Sequence, residues 1–322
     1  MYFLSQSMNI VNIEDISHLQ AKTIVTVGMF DGLHSGHRHL LRRLDAESAA
    51  NGLEAWVVTF DRHPRQVLHP ENPPALLSTY EERLMMLEKN GVRNVAIVRF
   101  TPTTAALSAC NFTSRFLCDR LNMNMLLLGY DNMFGSRTDN DFDLLPQLAQ
   151  RKGFGILHDT PVILCGVEVS STKIRRALSE GNIRLANAML GEPYSVGGTV
   201  VHGRHVGTGL GFPTANIQLE DNMKLLPGEG VYALRAHTGG KSYAAMANLG
   251  GQPTFHQQNP ILEVHLIDFD GELYGTRLRV DFLERLRDIR EFESPEELAS
   301  QLALDREDTI RMFNKLIVKS EK

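Results

Sequence analysis

The segment from Gly28 to His37 reads GMFDGLHSGH and ends in two histidines that are separated by Ser-Gly. An apolar, β-branched run precedes this segment and leucines at helical spacing follow it, so it is expected to join a strand to a helix N-terminus. Backbone N–H groups and the helix dipole at such a junction favour an anion, and glycine lets the main chain approach a ligand closely. The alternative is a turn with two surface histidines. We predict phosphate binding by both histidines, His34 and His37, and by Gly28, Phe30, Asp31 and Gly32.

A second segment, SSTKIRR at Ser170–Arg176, combines hydroxyls, a helix start and cationic side chains within two turns. Hydroxyl and N–H groups can hold phosphate oxygens, while Lys173 or Arg175 offsets negative charge that develops on them. The alternative is an ordinary N-cap followed by a solvated basic face. Both interpretations stay open from these residues alone.

A third segment, GTGLGFPTAN at Gly207–Asn216, is rich in glycine but matches neither the dinucleotide fingerprint nor the Walker pattern. A glycine-rich flap followed by Thr214 and Asn216 could hold a polyphosphate and a hard cation, because hydroxyl and amide oxygens are ligands that Mg²⁺ accepts. We therefore predict ATP phosphate contacts at Gly207, Gly211, Thr214 and Asn216, and a magnesium site at Thr214 and Asn216. The alternative is a glycine-rich barrel loop.

Glu263 stands in an otherwise apolar run, ILEVHL, that is typical of a strand. A buried carboxylate costs free energy unless it is paired, which makes Glu263 a candidate general base. The alternation of the strand also permits an acid that faces outward. His265 lies two residues further on, on the same strand face.

Strand-like and helix-like segments alternate in the first part of the chain, which predicts an α/β fold with a doubly wound parallel sheet. The expected strands are Thr23–Val27, Glu54–Phe60, Val95–Phe100 and Met125–Leu128. Ser78 and Glu81 form a predicted capping box for a helix that ends at Lys89. In such a sheet, ligands lie beyond the carboxyl ends of the strands, where the Gly28 segment begins.

The pattern changes at the breaker cluster Gly191–Pro193. Short strand candidates and hairpin turn signals follow, which predicts an antiparallel β-barrel. The expected strands are Val196–Val201, Gly230–Ala236, Tyr243–Asn248, Leu262–Phe269 and Arg277–Phe282. Ser294 is expected to cap a closing helix that reaches about Leu316. We predict two domains, residues 1–187 and 188–322.

Composition agrees with a globular protein of about two domains, because the chain has 322 residues, of which 43% are hydrophobic and 22% charged. The net charge of -5 gives no indication of a nucleic-acid partner. Three cysteines without a C-x-x-C spacing argue against a disulfide framework or a zinc site. There is no apolar run of the roughly 20 residues that a membrane span needs, and the N-terminus is a poor signal peptide. We expect a cytoplasmic protein without a membrane partner.

In this order, the motifs resemble those of the bacterial bifunctional riboflavin kinase/FMN adenylyltransferase family, also called FAD synthetases. The first half carries GMFDGLHSGH, TFDRHPRQVL, GYDNMFG and SSTKIR, and the second carries GRHVGTGLGFPTANI, NLGGQPTF and LEVHLIDFDGELYG. The resemblance covers nearly the whole chain.

The resemblance implies two reactions on small-molecule substrates, with ATP as co-substrate, Mg²⁺ as cofactor, and FMN and FAD as products. The C-terminal barrel would phosphorylate riboflavin to FMN, and the N-terminal nucleotidyltransferase-type domain would adenylylate FMN to FAD. His34 and His37 would stabilise the ATP phosphates, and Ser171, Thr172 and Arg175 would hold them from the other side. Asp131 and Pro64 would contact flavin or nucleotide. Glu263 would be the base for the riboflavin hydroxyl.

Two residues depart from the family pattern, Arg62 where proline is common and Asn132 where an aromatic is usual. They leave open a second hypothesis, in which the kinase is active and the N-terminal domain is not. A third hypothesis is a flavin-binding sensor without activity. Chromatography of the products from riboflavin, ATP and Mg²⁺ separates the three.

Overall fold

The computed structural model describes residues 8–130, 134, 143–164, 166–201, 214–250 and 261–320. The chain divides into two compact units, Met1–Ser171 and Thr172–Lys322. Among the helices of the described residues, none has the length and apolarity that a bilayer span requires.

The first unit is built on a parallel sheet of six strands. These are β1 (Asn9–Asn12), β2 (Thr23–Val27), β3 (Glu54–Phe60), β4 (Asn94–Val98), β5 (Met123–Leu128) and β6 (Gly155–His158). Their order is β1-β4-β3-β2-β5-β6, and every neighbouring pair is parallel. Strands β3 and β4 lie on one side of β2 in the sheet, and β5 and β6 lie on the other side. The order therefore reverses between β2 and β5, which is where a ligand site is expected.

Helices cover both faces of this sheet. They are α1 (Ser35–Asn51), α2 (Pro64–Leu68), α3 (Tyr80–Lys89), α4 (Pro102–Ala105), α5 (Ala109–Phe112), which continues as a π-helical segment over Thr113–Cys118, and α6 (Leu145–Lys152). Ile24 packs in a cluster with the leucines of α1 and α3. Val25 and Val27 pack in another cluster with residues of α5, the π-helical segment and α6. The predicted doubly wound α/β domain is confirmed. A short pair, β7 (Ile163–Leu164) and β8 (Val167–Glu168), completes the unit.

The start of α3 was predicted one residue too early. Thr79, and not Ser78, is the N-cap, and its partner in the capping box is Glu82. Ser78 is engaged elsewhere, because its N–H and hydroxyl both donate to the buried carboxylate of Asp31. A contact across 47 residues of sequence therefore overrides the local capping signal.

The second unit is a closed antiparallel barrel with helices before and after it. Its elements are α7 (Ser171–Ser179), α8 (Ile183–Leu190), β9 (Tyr194–Val201), β10 (Ala215–Leu219), β11 (Gly230–Thr238), β12 (Lys241–Leu249), β13 (Ile261–Leu266), β14 (Arg277–Arg287) and α9 (Pro295–Ser320). The barrel order is β10-β13-β12-β11-β14-β9, and β9 pairs with β10 to close it. The predicted barrel and closing helix are confirmed, while β10 was not among the expected strands.

Side-chain contacts explain how the flanking helices join the barrel. The N–H of Glu297 donates to the hydroxyl of Ser294 at 3.2 Å, so the predicted cap of α9 is formed. Arg287 on β14 holds Asp305 on α9 through both carboxylate oxygens. On α8, Asn187 donates to the carbonyl of Phe282 at 2.8 Å. Helices α7 and α8 thus belong to the compact unit of the barrel. The predicted boundary between the two catalytic domains, at residues 187 and 188, stays a prediction.

Candidate functional site

The loop after β2 is a turn with unusual backbone angles. Phe30, Gly32 and Leu33 have φ values of 53°, 73° and 35°, all in the left-handed region. For a residue other than glycine this conformation costs roughly 1–2 kcal/mol. Phe30 and Leu33 are 1% and 0% exposed, and burying side chains of this size contributes about 1.5–3 kcal/mol each. Core packing thus outweighs the backbone cost and holds the turn.

Asp31 ties this turn to two other segments. Its carboxylate accepts from the N–H of Leu77 at 3.1 Å and of Ser78 at 2.8 Å, and from the Ser78 hydroxyl at 3.0 Å. The Ser78 hydroxyl in turn accepts from the N–H of Gly32 at 2.9 Å. The hydroxyl of Ser171 donates to the carbonyl of Asp31 at 3.2 Å. Asp31 therefore organises the turn and brings Ser171 beside it; its direct contact with phosphate stays a prediction.

His34 and His37 form a stacked pair at the start of α1. Their ring centroids are 3.7 Å apart and the ring planes differ by 16°. His34 is the N-cap, and its Nδ1 accepts from the N–H of His37 at 3.3 Å. This contact assigns the proton of a neutral His34 to Nε2. Both rings are therefore fixed by the fold before any ligand arrives.

His37 is held in the neutral state. Burial, and then the neighbouring charges of His34 and Arg38, keep the pKa of His37 well below its ordinary value of 6.5. The Nδ1 atom of His37 is buried and has no hydrogen-bond partner in the part of the chain that the structure describes. A buried polar atom without a partner is costly, so this atom is a candidate contact for a ligand.

Gly36 lies close to the ring of His34. A Cβ atom at this position would lie 3.2 Å from both Cε1 and Nδ1 of His34, which is tighter than nearly all real Cβ contacts. The backbone of Gly36 is otherwise ordinary, because its φ is not positive. The glycine between the two histidines thus leaves room for the His34 ring.

A cleft of about 230 Å³ opens beside the histidine pair. Its walls come from the loop after β2, from Gly129 and Tyr130 after β5, and from residues 159–162 and 168–169. The cleft therefore lies at the reversal of strand order between β2 and β5, where a doubly wound sheet binds its ligand.

Asp159 borders this cleft and was missed by sequence reasoning. Its side chain is 4% exposed and contacts His39 at 3.3 Å and Arg43 at 3.0 Å, both on α1. Its position directly after β6, at the carboxyl edge of the sheet, is the signal that could have found it. That signal was lost because β6 was not among the expected strands.

The remaining predicted residues of the first site are spread over several elements. Thr172 and Arg175 lie in the first turns of α7, in the second compact unit, and Thr172 is exposed. Pro64 is the first residue of α2, whose N-cap is His63. Arg62 is exposed and pairs with Asp61 at 3.2 Å. Asp131 and Asn132 lie outside the described residues.

In the barrel, Asn216, Glu263 and Asn248 occupy directly opposed positions on β10, β13 and β12. Asn216 is buried, whereas Glu263 and Asn248 are exposed. Because Glu263 is exposed, the argument from the cost of burying an acid does not apply to it, and its role as general base stays a prediction. Thr214 directly precedes β10. Asn248 was not among the predicted residues; it belongs to the NLGGQPTF motif, whose individual members were not assigned.

The donor set of this barrel site suits a hard cation. Thr214 and Asn216 offer hydroxyl and amide oxygens, which Mg²⁺ accepts together with substrate phosphates. Within the described ranges, no group of three or more His, Cys, Asp or Glu side chains is arranged to hold a metal. Gly207 and Gly211 lie outside the described residues.

Comparisons with known proteins cover both units. Residues 16–173 match the FAD synthetase family model, and residues 190–313 match the riboflavin kinase model. The protein named bifunctional riboflavin kinase/FMN adenylyltransferase from Escherichia coli (strain K12) is 38% identical over 295 residues, which cover 91% of this chain and 93% of that protein. The protein of the same name from Bacillus subtilis (strain 168) is 32% identical, and the match covers 96% of this chain and 99% of that protein. A crystal structure named as a macrolide-efflux protein from Streptococcus pneumoniae has a TM-score of 0.83 and 31% identity, covering 94% of this chain and 98% of that chain.

Proposed function

The chain belongs to the family of bifunctional riboflavin kinase/FMN adenylyltransferases, and from that premise we propose which of its residues carry the two reactions. The enzyme phosphorylates riboflavin with ATP to give FMN, and it adenylylates FMN with ATP to give FAD and pyrophosphate. Both family matches and the relative from Escherichia coli name flavin chemistry, whereas the Streptococcus pneumoniae structure carries the name of an efflux protein.

We assign adenylyl transfer to the cleft beside His34 and His37. A phosphate oxygen of FMN attacks the α-phosphorus of ATP in line, and the bond to the bridging oxygen breaks as pyrophosphate leaves. Both imidazoles donate N–H groups to phosphate oxygens as negative charge develops on them. The work of the protein is positioning and charge stabilisation, so a covalent enzyme intermediate is not required. The observation that carries this assignment is the stacked, fixed histidine pair at the reversal of strand order.

Further contacts in this site follow from the family pattern. We propose that Ser171, Thr172 and Arg175 hold ATP phosphates opposite the histidines, and that Asp131 and Pro64 contact flavin or nucleotide. The hydrogen bond from Ser171 to the carbonyl of Asp31 supports this for Ser171, because it places the Ser171 hydroxyl beside the phosphate-binding turn.

We assign phosphorylation of riboflavin to Thr214, Asn216 and Glu263 of the barrel. Glu263 takes the proton of the riboflavin 5′-hydroxyl as the hydroxyl oxygen attacks the γ-phosphorus of ATP, and ADP leaves as the bond to the bridging oxygen breaks. Thr214 and Asn216 would hold Mg²⁺, which would offset the negative charge of the ATP phosphates. The opposed positions of Asn216 and Glu263 on paired strands support placing phosphate and base side by side.

The test is to incubate the full chain with riboflavin, ATP and Mg²⁺ and to separate the products by chromatography. We expect FAD. FMN alone would mean that the first unit is inactive, and unchanged riboflavin would support the sensor hypothesis. Omitting Mg²⁺ in a parallel sample, with a chelator present, is expected to abolish both products.

A further inference from the structure

The cleft of the first unit has two chemically different ends. At one end lie the histidine pair and the turn after β2, which offer N–H donors. The other end is formed by residues that follow β5 and β6, among them Tyr130, Asp159 and the segment 160–162. Among the described residues that line the cleft there is no lysine or arginine, and the acids are Asp159 and Glu168. The end at Asp159 therefore disfavours phosphate and suits a neutral part of a substrate that carries N–H or O–H donors.

The carboxylate of Asp159 is held in place through one of its two oxygens. Its Oδ1 lies 3.0 Å from Nη1 of Arg43 and 3.3 Å from Nε2 of His39, both on α1. Arg43 also donates to the carbonyl of His158 at 2.6 Å, and the N–H of Asp159 donates to the carbonyl of Leu128 at 2.8 Å. Arg43 thus balances the charge of Asp159, while Oδ2 accepts no hydrogen bond from the described residues. A fixed carboxylate with one free oxygen is suited to accept a hydrogen bond from a ligand.

The partners of Asp159 give its position relative to the histidine pair. His39 and Arg43 follow His37 on α1, and at a rise of about 1.5 Å per residue they lie about 3 and 9 Å further along the helix axis. In a nucleotide whose α-phosphate contacts the histidines, the sugar and the base extend over a distance of this order. Asp159 is therefore within reach of the nucleoside part of ATP.

Next to Asp159, the cleft offers surfaces for a flat ring. Strands β5 and β6 are neighbours in the sheet, so Tyr130 and Asp159 follow adjacent strand ends. Tyr130 lines the cleft and is 59% exposed, and Pro161 and Val162 line the cleft on the β6 side. An exposed aromatic ring can stack on a nucleotide base, and apolar side chains suit a base better than a sugar with several hydroxyls. The base is therefore the expected neighbour of the Asp159 carboxylate.

We propose that Asp159 determines which nucleotide the adenylyl-transfer site accepts, by taking a hydrogen bond from the 6-amino group of adenine. This inference rests on the adenylyl-transfer function proposed above for the first unit. Adenine carries a donor at the position where guanine and hypoxanthine carry an acceptor oxygen, and a carboxylate attracts the first and repels the second. The site therefore selects ATP over GTP and ITP.

The test compares wild type with Asp159→Asn and with the control Asp45→Asn, which removes the same charge from an exposed position of α1. An asparagine at position 159 has a single acceptor oxygen. If Arg43 and His39 keep that oxygen, the amide NH₂ group faces the base and reverses the polarity of the contact.

For each full-length variant, kcat and KM are measured with FMN and each nucleotide in turn, and the flavin dinucleotide is separated by chromatography. The nucleotides are ATP, ITP, 2′-deoxy-ATP, 3′-deoxy-ATP and purine riboside triphosphate, which lacks the 6-amino group. Urea unfolding followed by Trp56 fluorescence reports whether the first unit is folded.

Wild type should use ATP more efficiently than ITP or purine riboside triphosphate by roughly tenfold to a hundredfold in kcat/KM, the scale of one hydrogen bond to a charged group. In Asp159→Asn we expect kcat/KM to fall by that factor with ATP, to stay unchanged with purine riboside triphosphate and to rise with ITP. The KM for FMN and riboflavin phosphorylation should stay near wild type. Asp45→Asn should match wild type throughout.

Equal losses with ATP and purine riboside triphosphate would overturn the proposal, because Asp159 would then only tie the end of β6 to α1. A loss with ATP that disappears with either deoxy-ATP would place the contact at the sugar, and a change confined to the KM for FMN would place it at the flavin. Either result contradicts the assignment to the base.

If Asp159→Asn does not fold, Asp159→Ser replaces it with the same expectations for ATP and purine riboside triphosphate. Equal use of these two nucleotides by wild type would overturn the proposal without any variant. Failure of wild-type protein to form FAD would instead contradict the proposed function itself.

Discussion

At the residue scale, the first site depends on two imidazoles that the fold holds in place, and burial keeps the pKa of one of them, His37, well below its ordinary value. His34 is oriented by the hydrogen bond that its Nδ1 accepts, and His37 by stacking on His34 and by contact with the Phe30 ring at 5.2 Å between centroids. A neutral imidazole can donate one N–H without the free energy cost of burying a charged ring. The pair is therefore placed to stabilise phosphate charge as it develops.

Replacing either His34 or His37 with alanine should slow conversion of FMN to FAD by roughly a hundredfold or more, the scale for losing one donor to the transition state. Riboflavin phosphorylation should stay near wild type, because the barrel residues are unchanged. Both rates are measured on one preparation of each variant. Equal loss of the two activities in a folded variant would contradict the assignment.

The lowered pKa of His37 predicts how stability changes with pH. Below about pH 6.5, unfolded chains bind a proton at this residue, whereas the folded state does not until its own lower pKa is reached. The unfolded state then binds more protons, so stability falls as the pH drops through this window.

His37→Gln should reduce that loss. The stability of the first unit is measured by urea unfolding at pH 7.5 and pH 5.5. Unfolding is followed by the fluorescence of Trp56, which is the single tryptophan and a buried residue of β3. His69→Gln is the matched control, because the His69 side chain is 60% exposed. If His37→Gln and wild type lose the same stability between the two pH values, His37 does not resist protonation in the fold.

Glu263 offers a separate test in the barrel. Glu263→Gln keeps the size of the side chain but cannot take a proton, and general-base catalysis contributes about 10²–10⁴-fold. Riboflavin phosphorylation should fall by that order, with little change in thermal stability because the side chain is exposed. FMN supplied directly should still become FAD. Near-normal kinase turnover in this variant would place the base elsewhere.

At the element scale, the N-terminus of α1 is built around the space that Gly36 leaves. The His34 ring caps the helix and needs the room that a Cβ would take. A methyl group there must displace the ring or the helix start by a few tenths of an ångström. Catalytic groups tolerate such shifts poorly, because rate depends steeply on their placement.

Gly36→Ala should therefore slow FAD formation by about tenfold or more while leaving the kinase rate unchanged. Gly155→Ala is the control, since a Cβ at Gly155 meets Met125 at an ordinary distance of 3.9 Å. Unfolding in urea shows whether either variant is destabilised. Wild-type FAD formation by Gly36→Ala would mean that the His34 position is not critical.

At the scale of the whole molecule, two reactions are distributed over two compact units, and FMN is the product of one and the substrate of the other. Each unit has a core of its own. Helices α7 and α8 pack with the barrel, where the N–H of Gly228 donates to the carbonyl of Leu178 at 2.9 Å. The barrel unit should therefore begin at residue 172, upstream of the breaker cluster at Gly191.

A fragment of residues 172–322 should fold and phosphorylate riboflavin without making FAD. A fragment that starts at Ala186 cuts α8 and loses Ile174, Leu178 and Ile183, which are at most 1% exposed. Burying each such side chain contributes about 1.5–3 kcal/mol, so the shorter fragment should have a clearly lower Tm. Thermal melts and kinase assays of both fragments test this. Equal Tm values would show that α7 and α8 are dispensable for the barrel.

The sequence by itself determined the elements whose signals are local. The bounds of β2 and β3 follow from apolar runs and breakers, and the order of the motifs identified the family. Long, strongly patterned segments are predictable because the propensities of neighbouring residues agree.

Only the tertiary structure decided what depends on partners distant in sequence. The short strands β1, β6 and β10 are stabilised by pairing with neighbouring strands. Ser78 donates to the carboxylate of Asp31 and does not cap α3. Asp159 is held beside the cleft by its contacts with α1. The exposure of Glu263 depends on which face of the barrel it occupies. In each case the deciding free energy comes from a hydrogen bond or a burial that forms only when the chain has folded.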